Sequence, residues 1–269
     1  MGIGRALSHG AAQRGCNVVL LARGKEALEA TAAEIAEEHG VETRTLSADL
    51  ADPEIGTIVA DAVDGLDVGL FVYNAAVAPA GPFVDADLDF QILSVKVNCL
   101  TPTILSHHFG KKFLARGRGG LGMVSSNAAT QGAVNFSTYN AGKAYEWILA
   151  ESLWAEWKDK GVDVTNVFVG ATWSANFASF QETLDPTLCE KGDTDDPLDR
   201  ARYRLMHPNP PEQVANALYD QLATGPVCYA DPDDEFVSRK CFALSRPEAV
   251  DVWTGLQQTS LRIPEKQAR

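Results

Sequence analysis

Short apolar runs alternate with longer stretches of helical period along most of this chain. Residues 17–22 (NVVLLA) and 68–73 (VGLFVY) are almost continuously apolar, as strands covered on both faces must be. Residues 41–48, 121–126, 163–169 (DVTNVFV) and 227–230 read as further strands. Between them, residues 5–14, 25–38, 53–63, 87–115, 136–160 and 211–222 read as helices. Gly15 and Gly40 stop the first two, Pro53 sits in the first turn of the third, and a glycine-rich turn at residues 117–120 follows the fourth. Strand and helix alternate throughout, which predicts a doubly wound parallel sheet in a three-layer α/β/α single domain spanning residues 1–269.

The pattern is of Rossmann type except at its start. A dinucleotide fingerprint needs a strand, a glycine turn and a helix whose N-terminus faces the pyrophosphate. Here Met1-Gly2-Ile3-Gly4 leads straight into a helix. The expectation is an N-terminally truncated chain whose first strand and front half of the glycine loop lie upstream. The alternative is a chain that has lost or weakened dinucleotide binding, a catalytically impaired binding or scaffold protein. In this fold the first strand lies mid-sheet, so the strands at residues 17–22 and 68–73 should each have an unpaired edge.

The chemistry concentrates in SSNAATQGAVNFSTYNAGKAY, residues 125–145. Tyr139 and Lys143 are four apart and share a helix face. A nearby ammonium favours the phenolate and makes the phenol a usable general acid or base. Ser126, at the end of the preceding strand, can bond the same substrate oxygen. The set suits proton transfer to a carbonyl oxygen while hydride reaches the carbon.

Composition narrows the remaining choices. A formal charge of −13 repels phosphate backbones, so nucleic acid is not an expected partner. The five cysteines (Cys16, Cys99, Cys189, Cys228, Cys241) form no C-x-x-C, which predicts reduced, buried thiols in a cytoplasmic protein and no metal site. No apolar run is long enough to span a membrane. His107 and His108 diverge by about 100° on a helix and make a poor chelating pair, so a helix surface or an interface is expected for them. The acidic run at residues 231–235 reads as a solvated turn, and residues 190–204 as a solvated loop or helix.

Taken in order, these residues resemble the classical short-chain dehydrogenase/reductase family over nearly the whole chain. Gly2, Ile3 and Gly4 are similar to the end of its T-G-x-x-x-G-I-G loop. Asp49 and Leu50 lie where the adenine ring is contacted. Tyr73-Asn74-Ala75-Ala76 resembles N-N-A-G, with Tyr for the first Asn and Ala for Gly. Asn98 matches the asparagine that holds a water in the proton relay, and Ser126, Tyr139 and Lys143 match the catalytic trio in type and spacing. Gly170 follows Val169 where P-G is usual; Thr172 and Ser174 stand where the cofactor carboxamide is met. The segments HHFGKKFLARGRGG, GVDVTNVFVGAT and SRPEAV further resemble a bacterial branch of the family.

The resemblance implies an NAD(P)(H)-dependent oxidoreductase that interconverts a ketone and a secondary alcohol, with Tyr139 as acid or base, Lys143 on the nicotinamide ribose, Ser126 on the carbonyl and Asn98 in the proton path. It implies a homodimer or homotetramer built through two long central helices. Trp147, Leu153, Trp154 and Trp157 would be core or part of that interface. An extended relative such as a nucleotide-sugar epimerase or dehydratase uses the same Tyr/Lys pair, but carries a longer C-terminal domain than the chain has left.

At the second strand's end, Ala22 then Arg23 replace a ribose-binding carboxylate. A small neutral residue and a guanidinium favour a 2′-phosphate, hence NADP(H) over NAD(H). A substrate lid is expected at about residues 173–211, with Trp173, Phe177, Phe180 and Leu184 as an apolar side suited to an apolar ketone, or packed onto its own domain.

Overall fold

The computed structural model describes residues 2–174, 177, 178, 181, 182, 184, 187, 192 and 194–260. Its strands are β1 (Val18–Ala22), β2 (Thr43–Ser47), β3 (Leu70–Tyr73), β4 (Gly119–Val124), β5 (Val162–Phe168) and β6 (Val227–Tyr229). The helices are α1 (Ile3–Gln13), α2 (Lys25–His39), α3 (Ile55–Ala62), α4 (Leu88–Val95), α5 (Thr101–Arg116), α6 (Ser137–Trp157), α7 (Pro197–Met206), α8 (Pro211–Gln221), α9 (Pro232–Ala243) and α10 (Arg246–Ser260).

Every strand pairing is parallel, but the strands fall into two sheets, β1-β2 and β3-β4-β5-β6. In the larger sheet Leu121 lies between Phe71 and Val164. β4 and β5 are almost wholly buried, whereas β1 and β3, which end their sheets where the sequence anticipates unpaired edges, are only partly covered.

The core, not the backbone ladder, joins the two pieces. On one face α3, α5 and α6 bury Ile55, Leu105, Phe113 and Ala150 against Leu121, Met123 and Val164 of the larger sheet, and Leu21 and Leu46 of the smaller sheet pack onto the same cluster. On the other, α1 and α8 cover Val124 and Val167. α1 also packs with α2 over Leu20 of β1. Burying side chains of this size stabilises by about 1.5–3 kcal/mol each.

Several expectations are corrected in detail. Residues 87–115 are not one α-helix: a π-helical turn, Lys96–Leu100, separates α4 from α5. Gly119 and Gly120 belong to β4 rather than to a turn, and Gly119 lies so close to Phe113 that a Cβ there would overlap the ring. The acidic run is no solvated turn. Asp231 caps α9 by accepting from the N–H groups of Asp233 and Asp234 at 2.7 and 2.9 Å, and Asp231 and Asp234 are buried. Arg200 and Arg204 of α7 pair with Asp233, and Arg204 also with Asp231 at 2.8 Å, so the preceding charged segment is docked as well.

Within the expected lid, Phe177 and Leu184 pack with Leu205, Val237 and Trp253 of this chain, while Trp173 is exposed. Phe180 lies outside the described residues. Trp157 is core, and Trp147 stacks its edge on Phe168. Leu153 and Trp154 are partly buried against the α3–α5–α6 side of the core. His107 is exposed and His108 half-buried on α5, as a helix-surface pair should be. Cys16 is an exposed thiol rather than a buried one, Cys99 is half-buried, and Cys228 and Cys241 are buried; Cys189 lies outside the described residues. No helix among the described residues is long and apolar enough to cross a membrane.

Candidate active site

The carboxyl ends of the strands gather most of the residues singled out by sequence. Ser126 lies two residues beyond β4, half-buried, where its hydroxyl accepts from the Ala128 N–H at 3.2 Å. α6 is tied to this strand end by two bonds. Ser125 Oγ donates to the Lys143 carbonyl at 2.7 Å, and Lys143 Nζ donates to the Val124 carbonyl at 2.8 Å. Tyr139 stands one turn earlier on α6, half-buried, with its ring 6.2 Å from that of Phe136.

The ammonium of Lys143 has a second partner that sequence reasoning missed. Glu146 Oε2 accepts from it at 2.9 Å, and both side chains are buried, Glu146 completely. Burial pushes the Glu146 carboxyl up to about 7, against the opposing pull of Lys143. Among the described residues its other oxygen has no hydrogen-bond partner. A glutamate three residues after a lysine is legible in sequence; its complete burial is not. Among the described residues, the hydrogen bonds of the Lys143 ammonium go to the Val124 carbonyl and Glu146 rather than to the Tyr139 hydroxyl.

Asn98 is fully buried in the π-helical turn. Its carboxamide oxygen accepts from the Val77 N–H at 2.9 Å, and its nitrogen donates to the Val77 carbonyl at 2.7 Å and to Ser94 Oγ at 3.1 Å. The side chain thus clamps the loop after β3. Gly142 makes room for it, since a Cβ there would meet the Asn98 Cβ at 2.7 Å. Tyr73, where the family pattern has asparagine, donates its hydroxyl to the Val97 carbonyl and so ties β3 to the same turn. Burial pushes the Tyr73 phenol far up, so it stays a neutral donor.

Four of the cofactor candidates, Gly2, Gly4, Asn74 and Ser174, meet at the start of α1. A Cβ on Gly4 would lie 3.1 Å from Asn74 Nδ2, and one on Gly2 would lie 3.1 Å from the Ser174 Cβ. Gly2, at φ 110°, is in a conformation that favours glycine. No side chain caps α1, so the N–H groups of Ile3, Gly4 and Arg5 are left for an anion. A cavity of about 460 Å³ opens there beside Gly2, Trp173, Pro208 and Pro210.

Asn74, Ala75 and Ala76 follow β3, with Ala76 exposed. Asp49 is exposed and accepts from the Ala51 N–H at 2.9 Å; the Leu50 carbonyl accepts from Thr101 Oγ1 at 2.6 Å. Arg23 is exposed at the end of β1, and its guanidinium has no hydrogen-bond or ion-pair partner among the described residues. Thr172 Oγ1 donates to the Gly170 carbonyl at 3.3 Å, and Ser174 Oγ accepts from the Phe177 N–H at 3.1 Å.

Beneath Gly170 lies another buried carboxyl absent from the sequence expectations. Asp234 accepts from Asn127 Nδ2 at 3.0 Å and from the Gly170 backbone. Burial first, and Asp231 next, push it up to about 8. It underpins the turns after β4 and β5. The acidic residues around it in sequence disguised it as a surface group.

Comparison with known proteins shows the family and the fold. Residues 1–185 match the family described as short chain dehydrogenase. The 7beta-hydroxysteroid dehydrogenase of Collinsella aerofaciens is 33% identical over 178 residues, 66% of this chain and 68% of that protein. The very-long-chain 3-oxoacyl-CoA reductase of Anas platyrhynchos is 33% identical over 171 residues, covering 62% of this chain and 55% of that protein. A solved 7beta-hydroxysteroid dehydrogenase superposes with a TM-score of 0.83 at 26% identity, covering 94% of this chain and 93% of that one. An NADPH-bound short-chain dehydrogenase from Sphingobium yanoikuyae shares the fold at a TM-score of 0.73 and 23% identity, covering 98% and 94%.

Proposed function

This chain belongs to the short-chain dehydrogenase family, and we propose that it interconverts a bulky, apolar ketone and its secondary alcohol, using NADP(H) in preference to NAD(H). The observation that supports the reading is the fastening of α6, which carries Tyr139, to the end of β4, which leads into Ser126, through Val124, Ser125 and Lys143.

The residues present fit a dinucleotide. Gly2 and Gly4 leave spaces that a Cβ would fill, the first turn of α1 offers uncapped N–H groups, and Arg23 is free to take a 2′-phosphate. Gly2, Ile3 and Gly4 would hold the pyrophosphate, Asp49 and Leu50 the adenine, Asn74, Ala75 and Ala76 the ribose side, and Gly170, Thr172 and Ser174 the carboxamide. When bound, the nicotinamide supplies or accepts the hydride.

The chain's own part is positional and protonic. Ser126 Oγ polarises the substrate oxygen, and the Tyr139 hydroxyl gives or takes its proton. Lys143 supplies positive charge one turn below, moderated by Glu146. Asn98 fixes the loop after β3 and the π-helical turn at the proton exit.

Trp173, exposed at the start of the lid, supports an apolar substrate. A polycyclic steroid ketone is the first choice, because relatives of both kinds above act on large lipidic substrates by name. Exposed Leu100, Tyr145 and Ile148, on the α4–α5 path and on α6, support a dimer or tetramer through these helices.

One observation favours a second reading, a protein that binds dinucleotide without turnover: the Lys143 ammonium is committed to Glu146 and Val124. NADPH oxidation with a 7-oxosteroid and with a long-chain 3-oxoacyl thioester decides between them. Activity in the wild type, reduced about 10²–10⁴-fold in Tyr139→Phe with NADPH affinity unchanged, is the expected result. Near-normal rates in Tyr139→Phe refute the assigned role, and NADPH binding with neither substrate turned over selects the second reading.

A further inference from the structure

Away from the strand ends, α1 and α2 bring three ligand-type side chains together. His9 Nδ1 and His39 Nε2 face each other at 3.1 Å. Glu38 reaches both: its oxygens lie 3.4 Å from His9 Nδ1 and 3.8 Å from His39 Nε2. The rings meet nearly edge-on, at 77°, so nitrogens converge rather than ring faces. We propose that His9, His39 and Glu38 form a binding site for a zinc-class divalent ion that clips α1 to α2.

The spacing is that of a coordination shell. Donor atoms about 2.0–2.1 Å from a tetrahedral zinc lie about 3.3 Å from one another. The imidazole nitrogens lie 3.1 Å apart, and the Glu38 carboxylate approaches them with one oxygen each, Oε2 at 3.4 Å from His9 Nδ1 and Oε1 at 3.8 Å from His39 Nε2, all near that edge length. Two imidazoles and one carboxylate suit zinc and its neighbours, and lack the all-oxygen set that magnesium and calcium require. The imidazoles are mostly shielded, with 18% and 14% of their side chains exposed, while Glu38 is 57% exposed. The fourth position therefore opens to water.

Two further features point to the same ligand. Among the described residues His9 Nε2 is buried without a hydrogen-bond partner, and Glu34 Oε1, which also pairs with Arg5, lies 3.9 Å from it. With Nδ1 on a metal, Nε2 carries the ring proton and has that carboxylate within a small shift, the usual outer support of a metal-bound histidine. His39 is the last residue of α2, where the carbonyl ends of the helix favour a cation.

The test uses the whole chain, freed of metal by chelator dialysis, with zinc titrated in competition with a chromogenic chelator. One equivalent is expected to bind, with an unfolding midpoint raised by about 5–10 °C at a hundredfold excess over Kd. Magnesium should do neither. His9→Gln with His39→Gln should weaken zinc by at least about 100-fold, and Glu34→Gln by about 10-fold. Cobalt in the wild-type chain should give the strong visible bands of a four-coordinate site, a readout independent of how the variants fold. A double variant that keeps the same affinity and stoichiometry, or a wild type that binds no zinc or shows only the weak spectrum of hydrated cobalt, overturns the proposal.

Discussion

Glu146 offers the sharpest quantitative test of the site's electrostatics. Its carboxyl is fully buried, one oxygen bonds Lys143, and the other has no hydrogen-bond partner among the described residues. Burial raises it from 4.5 to about 7 in the folded chain. A raised acid contributes its full stability below the unfolded value and loses it as pH climbs through the folded value. The gap between 4.5 and about 7 corresponds to about 3 kcal/mol. Glu146→Gln keeps the shape of the protonated side chain and removes the titration, leaving Lys143 its bond to the Val124 carbonyl. Urea unfolding of both proteins from pH 4.5 to 8 should show the wild type losing about 3 kcal/mol relative to the variant. Asp234, pushed up to about 8, slopes in the same direction but is present in both and cancels. Parallel stability curves for the two proteins would refute the reasoning.

Two other substitutions test the cofactor choice and the packing. Arg23→Ala should raise the Kd for NADPH by about 10–100-fold and leave NADH nearly unchanged, because only the 2′-phosphate gains the charge-assisted bonds; equal effects in a fluorescence titration would remove the argument. Gly110→Ala puts a Cβ 2.5 and 2.8 Å from two ring carbons of buried Trp157, and overpacking of this kind should cost about 1–3 kcal/mol, read as a lower thermal midpoint. An unchanged midpoint would show that the α5–α6 contact yields freely.

Much of the fold is written in local pattern. The apolar runs at β1, β3 and β5 and the glycine stop after α2 appear within a residue or two of where they were expected. Such signals depend on neighbours along the chain. The π-helical turn at Asn98 escaped because 3.6 periodicity tolerates one extra residue, and it is the buried contact with Gly142 and the Val77 clamp that hold it. The Ser126, Tyr139 and Lys143 pattern was legible as spacing; that the Lys143 ammonium turns to Glu146 and Val124 was not, because burial decides whether a carboxyl three residues on faces solvent or the core.

The sequence by itself determined the alternation of strand and helix, the parallel sheet that follows from it, and the identity of the residues at the strand ends. Tertiary structure alone decided which charges are buried and which distant side chains meet. Asp231, Asp233 and Asp234 read as solvent-facing until α7 brings Arg200 and Arg204 across them. His9 and His39, thirty residues apart, become neighbours only because α1 and α2 pack side by side. The reason is physical: pattern along a chain reports which face of an element is apolar, but burial and through-space contact depend on what the rest of the chain lays against it.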